Sequence, residues 1–408
     1  MKSNFQNVKG TQDFFGEQID KYNFVVDVAK KNAKIYNFKE IATPIIEFSN
    51  LFERNVGEGS DIVLKELYKF EDKGGDMLAL RPEFTAGVVR SLVENDSLNQ
   101  NLPQKLFSYG PVFRYDRPQK GRYRQLNQIN FEMFGVSNYM ADVEIIVLFN
   151  SILKDLGIKD IMLEINSLGS VECKLKYENA LIDYFKKYKN ELSHDSKIRL
   201  ENNPLRIIDS KEECDRNLFE NAPKIYEFYS DEESNFYNKI LQTLDRLNIK
   251  YFSNPFLVRG LDYYTSTVFE FTTTNLGSQA SIGGGGRYDN LVEQIGNTPL
   301  PAVGFGGGIE RFMLLLDNKV VKKEEVIAVI PITENEIPYS FDLVNKMREN
   351  GKNVEYIHSG KFKKRMEKLN KLEIDFAIII GEDEVNGKKL KIKNLKDVAE
   401  EDFITSNF

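Results

Sequence analysis

Strand-like segments follow one another through much of the chain without the regular alternation with helices that a parallel sheet requires. The runs KLFSYGPVFRYD, RQLNQINFEMFG, STVFEFTTT and PAVGFGG are rich in apolar, β-branched and aromatic residues, which is typical of strands. LYKFED and DMLALRPE flank the turn DKGGD and predict a hairpin. Because parallel strands need a long crossover between them, this pattern predicts an antiparallel sheet flanked by helices, in the α+β class.

A long N-terminal helix and a helical insertion complete the predicted sheet domain. Residues 16–38 carry apolar side chains at helical spacing, and IATPIIEF then changes to a strand-like pattern. Further on, YENALIDYFKKYKNEL and NFYNKILQTLDRL are typical of charged amphipathic helices, with the helix-breaking NNPLR between them. We therefore expect a helical insertion at about 171–247, within a domain that spans residues 1–320.

A second, smaller domain is expected at residues 321–408. At 408 residues the chain is too long for one ordinary core. The charged segment DNKVVKKEE has the composition of a linker. Beyond it, the buried-type strands VIAVIPI, NVEYIH and DFAIIIGED alternate with the helical segments SFDLVNKMREN and KFKKRMEKLNKL. This alternation predicts an α/β domain.

Composition excludes several classes of protein. A formal net charge of -7 argues against diffuse nucleic-acid binding, though not against a local basic site. No apolar run approaches the roughly 18 residues of a membrane span, and the N-terminus lacks a signal-peptide core, so we expect a cytoplasmic protein. Cys173 and Cys214 lie far apart without His or Cys at ligand spacing, which indicates neither a disulfide framework nor a zinc site.

A basic stretch, RYDRPQKGRYRQ at residues 114–125, stands out in this acidic chain. Beside Asp116 it contains the cations Arg114, Arg117, Lys120, Arg122 and Arg124. Because it lies between two strand-like runs, its middle is a hairpin loop that can present several cationic groups to phosphate oxygens. A solvated charged loop is the alternative. Gln128 and Glu132 follow on the next strand, and polar residues in an apolar strand favour a site.

Two further segments place charged residues beside strands. LALRPEFTAG has Arg81, Glu83 and Thr85 along a strand or at its end. LVRGLDYYTSTVFEF precedes its strand with Arg259, Asp262, Tyr263 and Tyr264. Buried charge is costly unless it is paired, so each arginine should face either a structural carboxylate or an anionic ligand. For either arginine alone, the structural carboxylate is the better explanation.

Two glycine-rich segments, SIGGGGRYDNL and AVGFGGGIERFML, match neither generic nucleotide motif. The first lacks the Lys-Ser or Lys-Thr that ends a P-loop, and neither opens a βαβ unit. Glycines within strands instead indicate that a ligand or another backbone approaches the sheet closely. The second segment leads into a helix with Arg311 in its early turns. A tight packing turn is the alternative.

Together these segments resemble the class II aminoacyl-tRNA synthetases, and among them the histidyl-tRNA synthetase family. The resemblance runs through nearly the whole chain, in KGTQDFF, LRPEFTAG, GPVFRYDRPQKGRYRQ, LEINSLGS, NPLRIIDSK, LVRGLDYYTSTVFEF, GGGRYDNL and AVGFGGGIERF. GPVFRYD through NFEMFG is similar to class motif 2, AVGFGGGIERF to motif 3, and the helix leading into IATPIIEF to motif 1. LVRGLDYY and GGGRYDNL are similar to two segments peculiar to the histidine family.

The resemblance implies a ligase that activates L-histidine with ATP and Mg2+ and then transfers it to the terminal ribose of tRNA(His). At the matching positions, Arg114 would hold the α-phosphate and the histidine carboxylate, and Arg122 the outer phosphates. Arg311 would pack on the adenine and reach the γ-phosphate. Arg259, the second expected catalytic residue beside Arg114, would stabilise the charge that develops at phosphorus.

The same resemblance implies the positions of the amino acid and the tRNA. Residues matching the family's histidine pocket are Glu83, Thr85, Gln128, Glu132, Tyr263 and Tyr264. Glu83 and Thr85 would hold the α-amino group, and Gln128 would orient the substrate. Glu132 and Tyr264 would bond the two imidazole nitrogens, a pairing that other side chains mimic poorly. The residues expected near the tRNA acceptor end are Arg117 and Gln119.

Some features depart from the family pattern or remain open. Leu126 stands where the family usually has an aromatic residue that stacks on the adenine, so we expect an aliphatic contact there. The C-terminal domain resembles an anticodon-binding domain, and its basic segment KFKKRMEKLNK is either an RNA contact or a solvated helix face. Motif 1 implies a homodimer, and the hairpin sequence resembles those of bacterial enzymes.

Two alternatives share much of this pattern. The first is a catalytically silent relative, the regulatory subunit of ATP phosphoribosyltransferase, which resembles the core without the C-terminal domain and tends to lose the segment that bears Arg259. The second is a class II synthetase for another amino acid. The matches at LVRGLDYY and at Glu132 speak against the second.

Overall fold

The chain folds into two compact units, Met1–Val320 and Val321–Phe408. The computed structural model describes residues 5–55, 65–95, 102–119, 121–277, 280–317, 325–372, 374–387, 389–395 and 400–402. Lys120 and most of the segment DNKVVKKEE, which was predicted to be a linker, lie outside these residues. No helix in the described part of the chain is both long enough and apolar enough to cross a membrane.

A large, mainly antiparallel sheet is the centre of the first unit. The strands of this unit are β1 (Lys39–Glu40), β2 (Ile46–Phe48), β3 (Lys69–Glu71), β4 (Met77–Leu80), β5 (Gln104–Phe113), β6 (Gln125–Phe134), β7 (Ile161–Ser167), β8 (Tyr251–Ser253), β9 (Thr265–Thr273), β10 (Ser281–Arg287) and β11 (Ala302–Gly308). The central sheet has the order β1-β5-β6-β11-β10-β9-β7-β8. Its two edge pairs are parallel and the inner pairs antiparallel, which confirms the predicted α+β class.

A small antiparallel sheet, β2-β4-β3, lies apart from the central one and contains the predicted hairpin at DKGGD. Its register places Phe48 beside Leu78 and Leu78 beside Phe70. The Phe48 and Phe70 side chains are 56% and 40% exposed. A row of apolar side chains at the surface is typical of an interaction face.

The main hydrophobic core lies between one face of the central sheet and a layer of helices. The helices of this layer are α1 (Glu17–Ile35), α4 (Tyr139–Asp155), α8 (Asp231–Arg246) and α10 (Ile309–Leu315). Phe149 of α4 stacks on Phe305 of β11 with ring centroids 4.4 Å apart. Along β6, Ile129, Phe131 and Met133 belong to this core. Because successive strand residues point to opposite faces, the residues between them face the other side of the sheet.

The span predicted as a helical insertion is helical, and its first helix packs next to the segment that precedes β9, whereas α8 belongs to the helix layer on the central sheet. Its helices are α5 (Val171–Lys186), α6 (His194–Asn202), α7 (Glu213–Phe219) and α8, with a 3-10 turn at Pro204–Arg206. Tyr177 and Leu181 of α5 share a hydrophobic core with Leu257 and Val258. Helices α2 (Ser49–Asn55), α3 (Thr85–Glu94) and α9 (Asp289–Gly296) also belong to the first unit and contact one another.

The second unit is the predicted small α/β domain. It contains β12 (Ile327–Pro331), β13 (Val354–Tyr356), β14 (Phe376–Ile380), β15 (Lys391–Asn394), β16 (Glu400–Asp402), α11 (Ile337–Glu349), α12 (Phe362–Lys371) and α13 (Glu382–Val385). The strand order is β13-β12-β14-β15-β16, and β12 is parallel to both of its neighbours. Val329 belongs to one hydrophobic cluster, and Ala328 and Ile330 to another. β12 is therefore buried on both faces, which explains its continuous apolar sequence.

Candidate active site

The face of the central sheet opposite the main core forms the floor of a cavity of about 610 Å3. The residues that β6 contributes to this cavity are Leu126, Gln128, Asn130 and Glu132. They alternate with the residues that β6 buries in the main core. Strand alternation therefore brings these polar side chains into the cavity, as the polar residues in this apolar strand predicted.

The glycine-rich strands β10 and β11 form another part of the floor. Their register pairs Gly284 with Gly306 and Gly286 with Gly304. A Cβ atom on Gly284 would lie 2.4 Å from the Phe269 carbonyl oxygen, a separation that real Cβ atoms do not show. The close approach of another backbone, which the glycines in strands predicted, is thus confirmed.

Glu132 lines the cavity and is 1% exposed. Its Oε1 accepts hydrogen bonds from Thr85 Oγ1 at 2.5 Å and from Asn130 Nδ2 at 2.7 Å. Its Oε2 accepts a hydrogen bond from the Tyr288 hydroxyl. Burial raises the pKa of Glu132 to about 7, although these three donors act in the opposite direction. The pKa therefore lies where small changes in surroundings decide the charge.

Glu83 and Thr85 lie where the connection after β4 enters α3. The Glu83 carboxylate accepts hydrogen bonds from the backbone N–H groups of Thr85 at 2.5 Å and Ala86 at 2.9 Å. Burial raises the pKa of Glu83, while these bonds and the nearby Arg114 lower it. Arg81 donates hydrogen bonds to the carbonyl oxygens of Pro111 and Thr43. Burial lowers the pKa of Arg81, and the carboxylates of Glu47 and Glu83 act against this.

Arg259 also lines the cavity, next to Glu270 of β9. Arg259 Nη1 lies 2.6 Å from Glu270 Oε1, so the structural carboxylate predicted for this arginine exists. Arg259 Nε is buried and has no hydrogen-bond partner among the residues that the structure describes. Burial lowers the pKa of Arg259, but Glu270 outweighs this effect and the net shift is upward. Arg259 is therefore positively charged, and its Nε–H is a donor that no described residue uses.

Several cations surround the same part of the cavity. Burial lowers the pKa of Arg311. Neighbouring cations that lower it further are Arg114, Arg122 and Arg259. Glu270 opposes burial and these cations, but the net shift of the Arg311 pKa is downward. Such a cluster is typical of a site that binds a multiply charged anion.

The hairpin loop between β5 and β6 carries the rest of the basic stretch. Asp116 forms an ion pair with Arg122. Arg117 and Gln119 are exposed on the loop, and Gln119 forms an isolated β-bridge with Arg122. Asp116 therefore holds Arg122 on the loop, whereas Arg117 is exposed to solvent.

The insertion contacts the loop that bears Arg259. Arg206, in the 3-10 turn of the insertion, donates from Nη1 to the Arg259 carbonyl oxygen at 3.3 Å and lies 3.1 Å from Asp209 Oδ2. Asn203 Nδ2 donates to Asp262 Oδ1 at 3.3 Å. The segment NPLRIIDSK therefore supports the backbone around Arg259, which no local feature of the sequence indicated.

Most of the predicted site residues meet in this one cavity. Those that line it are Glu83, Thr85, Arg114, Gln128, Glu132, Arg259, Tyr263, Tyr264 and Arg311. Arg117, Gln119 and Arg122 lie on the adjacent hairpin loop. Sequence reasoning did not identify Asn130, Glu270 or Tyr288, which also line the cavity. The period-two spacing of Gln128, Asn130 and Glu132 was a sufficient signal for Asn130.

An antiparallel sheet that joins an arginine-bearing hairpin, a polar cavity floor and a glycine-rich strand leading into an arginine-bearing helix defines a class II aminoacyl-tRNA synthetase. A family model described as histidyl-tRNA synthetase matches residues 10–188 and 207–312, and an anticodon-binding domain model matches residues 326–406. The chain belongs to the histidyl-tRNA synthetase family.

Individual proteins support the same family. A histidine–tRNA ligase of Wolbachia pipientis wMel is 48% identical over 400 residues, which cover 98% of this chain and 97% of that protein. One from Rickettsia conorii is 43% identical over 402 residues, with 98% and 97% coverage. The crystal structure of apo S. aureus histidyl-tRNA synthetase superposes with a TM-score of 0.82 and 32% identity, covering 98% of both chains.

The regulatory-subunit alternative is not favoured. That relative is expected to lack the C-terminal domain and the segment around Arg259, whereas this chain matches an anticodon-binding model at residues 326–406 and retains Arg259 in the cavity. Both relatives described above, which this chain matches over nearly their full length, are histidine–tRNA ligases.

Proposed function

We propose that the chain ligates L-histidine to tRNA(His). Histidine would react with ATP to give histidyl-adenylate and pyrophosphate, and the histidyl group would then move to the 3'-terminal adenosine with release of AMP. The observation that carries this proposal is the cavity itself, which has a cluster of arginines at one part and the buried, hydrogen-bonded Glu132 at another. One cavity thus offers sites for a polyphosphate and for a small polar amino acid.

Arg114, Arg122 and Arg311 would bind ATP. Arg311 is held in place by hydrogen bonds from Nη1 to the Ser281 carbonyl oxygen at 2.7 Å and from Nε to the Gly121 carbonyl oxygen at 3.3 Å. Its guanidinium would pack on the adenine and reach the γ-phosphate. Arg122 would leave Asp116 for the outer phosphates, and Arg114 would contact the α-phosphate and the histidine carboxylate.

Arg259 and Arg114 would be the catalytic residues. Attack of the histidine carboxylate on the α-phosphorus builds negative charge on the phosphoryl oxygens. Arg259 is oriented by Glu270 and keeps a buried Nε–H without a partner in the described structure. A donor fixed before the reaction stabilises such charge without reorganisation.

Glu132 and Tyr264 would recognise the imidazole nitrogens, and Glu83 and Thr85 the α-amino group. The low exposure of Glu132 and Glu83, at 1% and 4%, supports this assignment, because a buried carboxylate whose remaining acceptor position stays empty penalises ligands without a matching N–H. Gln128 would orient the substrate beside them. Tyr263, which packs on Tyr264 with ring centroids 4.8 Å apart, would close the pocket.

The two units would have different roles in the reaction with tRNA. We assign residues 1–320 to catalysis and residues 321–408 to anticodon binding, the latter supported by the match of the anticodon-binding model. Arg117 and Gln119 would contact the acceptor end, since both are exposed on the loop next to the cavity.

The active form would be a homodimer in the bacterial cytoplasm, where ATP and tRNA are available. The apolar row Phe48, Leu78 and Phe70 on the small sheet supports a dimer, because motif 1 includes β2. Mg2+ would enter bound to ATP, since this ion is commonly held by substrate phosphates with one or two carboxylates.

Histidine-dependent exchange of pyrophosphate into ATP tests the proposal. Exchange with histidine and not with the other amino acids would establish histidine-specific adenylation, and charging of tRNA(His) would establish the transfer. If the folded protein binds histidine but does not catalyse pyrophosphate exchange, the regulatory-subunit alternative would be favoured instead.

A further inference from the structure

The buried Glu132 carboxylate has an almost complete set of hydrogen bonds before any ligand arrives. An ionised carboxylate is an acceptor with about four lone-pair positions. Thr85 and Asn130 both donate to Oε1, and Tyr288 donates to Oε2. The protein thus fills both positions on Oε1 and one of the positions on Oε2. Among the residues that the structure describes, these donors leave a single acceptor position, and it belongs to Oε2.

The groups around Glu132 are fixed, so this arrangement is not readily rearranged. The Tyr288 ring is 1% exposed and packs edge-on against Phe134 and Tyr263, with ring centroids 6.3 Å and 5.6 Å away. A Cβ atom on Gly304 would lie 1.7 Å from Glu132 Oε2, so Oε2 occupies the space where any other residue would have its side chain. The carboxylate therefore has little freedom to turn.

We propose that Tyr288 is a positioning residue for histidine recognition: by occupying one acceptor position of Glu132 Oε2, its hydroxyl leaves one position that an imidazole N–H fills. This inference rests on the proposed function, in which Glu132 binds the imidazole. Without the Tyr288 hydroxyl, Oε2 would have two open positions. Water or a differently oriented donor could then compete with the ligand, and the direction of the remaining bond would no longer be fixed.

Loss of the Tyr288 hydroxyl should make histidine binding more dependent on pH. The titratable groups that face Glu132 are Glu83, Tyr263, Tyr264 and Tyr288. Burial raises the pKa of each of these tyrosines, so they are neutral at physiological pH. The Tyr288 hydrogen bond lowers the pKa of Glu132, and its loss raises that pKa. Because only the ionised carboxylate offers the open position, histidine binding in a variant without this hydroxyl should weaken more steeply as pH falls.

The variant Tyr288→Phe tests the proposal, with Tyr177→Phe as the matched control. Phenylalanine keeps the ring contacts of Tyr288 and removes only the hydroxyl. Tyr177 is also buried, lies in α5, and has a hydroxyl without a hydrogen-bond partner in the described residues. Both variants lose the same oxygen atom from a buried tyrosine, so the difference between them isolates the bond to Glu132.

Pyrophosphate exchange in Y288F should show a KM for histidine raised about ten- to a hundredfold, the range for losing a hydrogen bond to a charged group. The KM for ATP and the kcat should stay within about threefold of wild type, as expected when ground-state and transition-state binding are lost equally. The ratio of the histidine KM values of Y288F and wild type should increase from about pH 8 to about pH 6. Titration of free histidine cancels in this ratio.

A second variant keeps the test decisive if Y288F does not fold. Asn130→Ala removes another donor to Glu132 and should raise the histidine KM with the same pH trend. A histidine KM in Y288F equal to that in Y177F, or in N130A equal to wild type, would overturn the inference while wild-type exchange leaves the proposed function intact. Absence of histidine-dependent exchange in the wild type would instead overturn both.

Discussion

Replacement of Arg259 by alanine should slow adenylate formation about a hundred- to a thousandfold, which corresponds to about 2.7–4 kcal/mol for the loss of one preorganised donor to a developing oxyanion. The structure supports the upper part of this range. Arg259 lies in the cavity, its Nη1 is held by Glu270 at 2.6 Å, and its buried Nε has no partner among the described residues. The donor is therefore fixed in place before the substrates bind.

The measurement is histidine-dependent pyrophosphate exchange at saturating ATP, with kcat and the histidine KM determined separately. Since the proposed contact strengthens as charge develops, kcat should fall and the histidine KM should change little. Arg259→Lys keeps the charge but replaces the planar fork by a single ammonium group. It cannot hold Glu270 and the α-phosphate with the same geometry, so its kcat should lie between those of R259A and wild type.

Glu270→Gln separates catalysis from orientation. The amide oxygen can still accept a hydrogen bond from Arg259, and the side chains of the pair are about one-fifth exposed, at 19% and 21%. Loss of the charge at such a site should cost about 1 kcal/mol or less, which is under about tenfold in rate. An R259A enzyme that retains more than about a tenth of the wild-type kcat, or an E270Q enzyme as slow as R259A, would refute the assigned role of Arg259.

Three further predictions concern stability, ATP binding and assembly. Arg287→Met should lower the free energy of unfolding by about 3–5 kcal/mol in a denaturant titration, because Asp142 is fully buried and would lose its ion-pair partner. A loss below about 1 kcal/mol would contradict this prediction. Adding Asp142→Asn to the variant should recover part of the lost stability. Leu126→Phe should lower the KM for ATP, since an aromatic ring in the cavity floor can stack on the adenine for about 1 kcal/mol or more; an unchanged KM would show that position 126 does not face the base. Phe48→Glu should shift sedimentation from dimer towards monomer, because the charge would enter the apolar row of the small sheet; a dimer as stable as wild type would place the interface elsewhere.

Local sequence patterns predicted many elements of the fold. These include the long N-terminal helix, the hairpin at DKGGD, strands β5, β6, β9 and β11 of the central sheet and the C-terminal α/β unit, but not helix α4 or strands β7 and β8. The sequence also placed Gln128 and Glu132 on one strand, and their even spacing puts them on the same face of it, since side chains alternate along any strand. Local patterns did not predict the direct hydrogen-bond partners of Arg81, whose guanidinium donates to the carbonyl oxygens of Pro111 and Thr43.

The sequence by itself thus determined many of the strands and helices, and placed polar side chains within some of the apolar strands. Only the tertiary structure decided what those side chains touch. Glu132 is bonded by Thr85 and Tyr288, which are 47 and 156 residues away along the chain, and Arg259 is supported by Arg206 from the insertion. The physical reason is that strand order brings distant segments together, and local periodicity, which acts over a few residues, carries no information about that order.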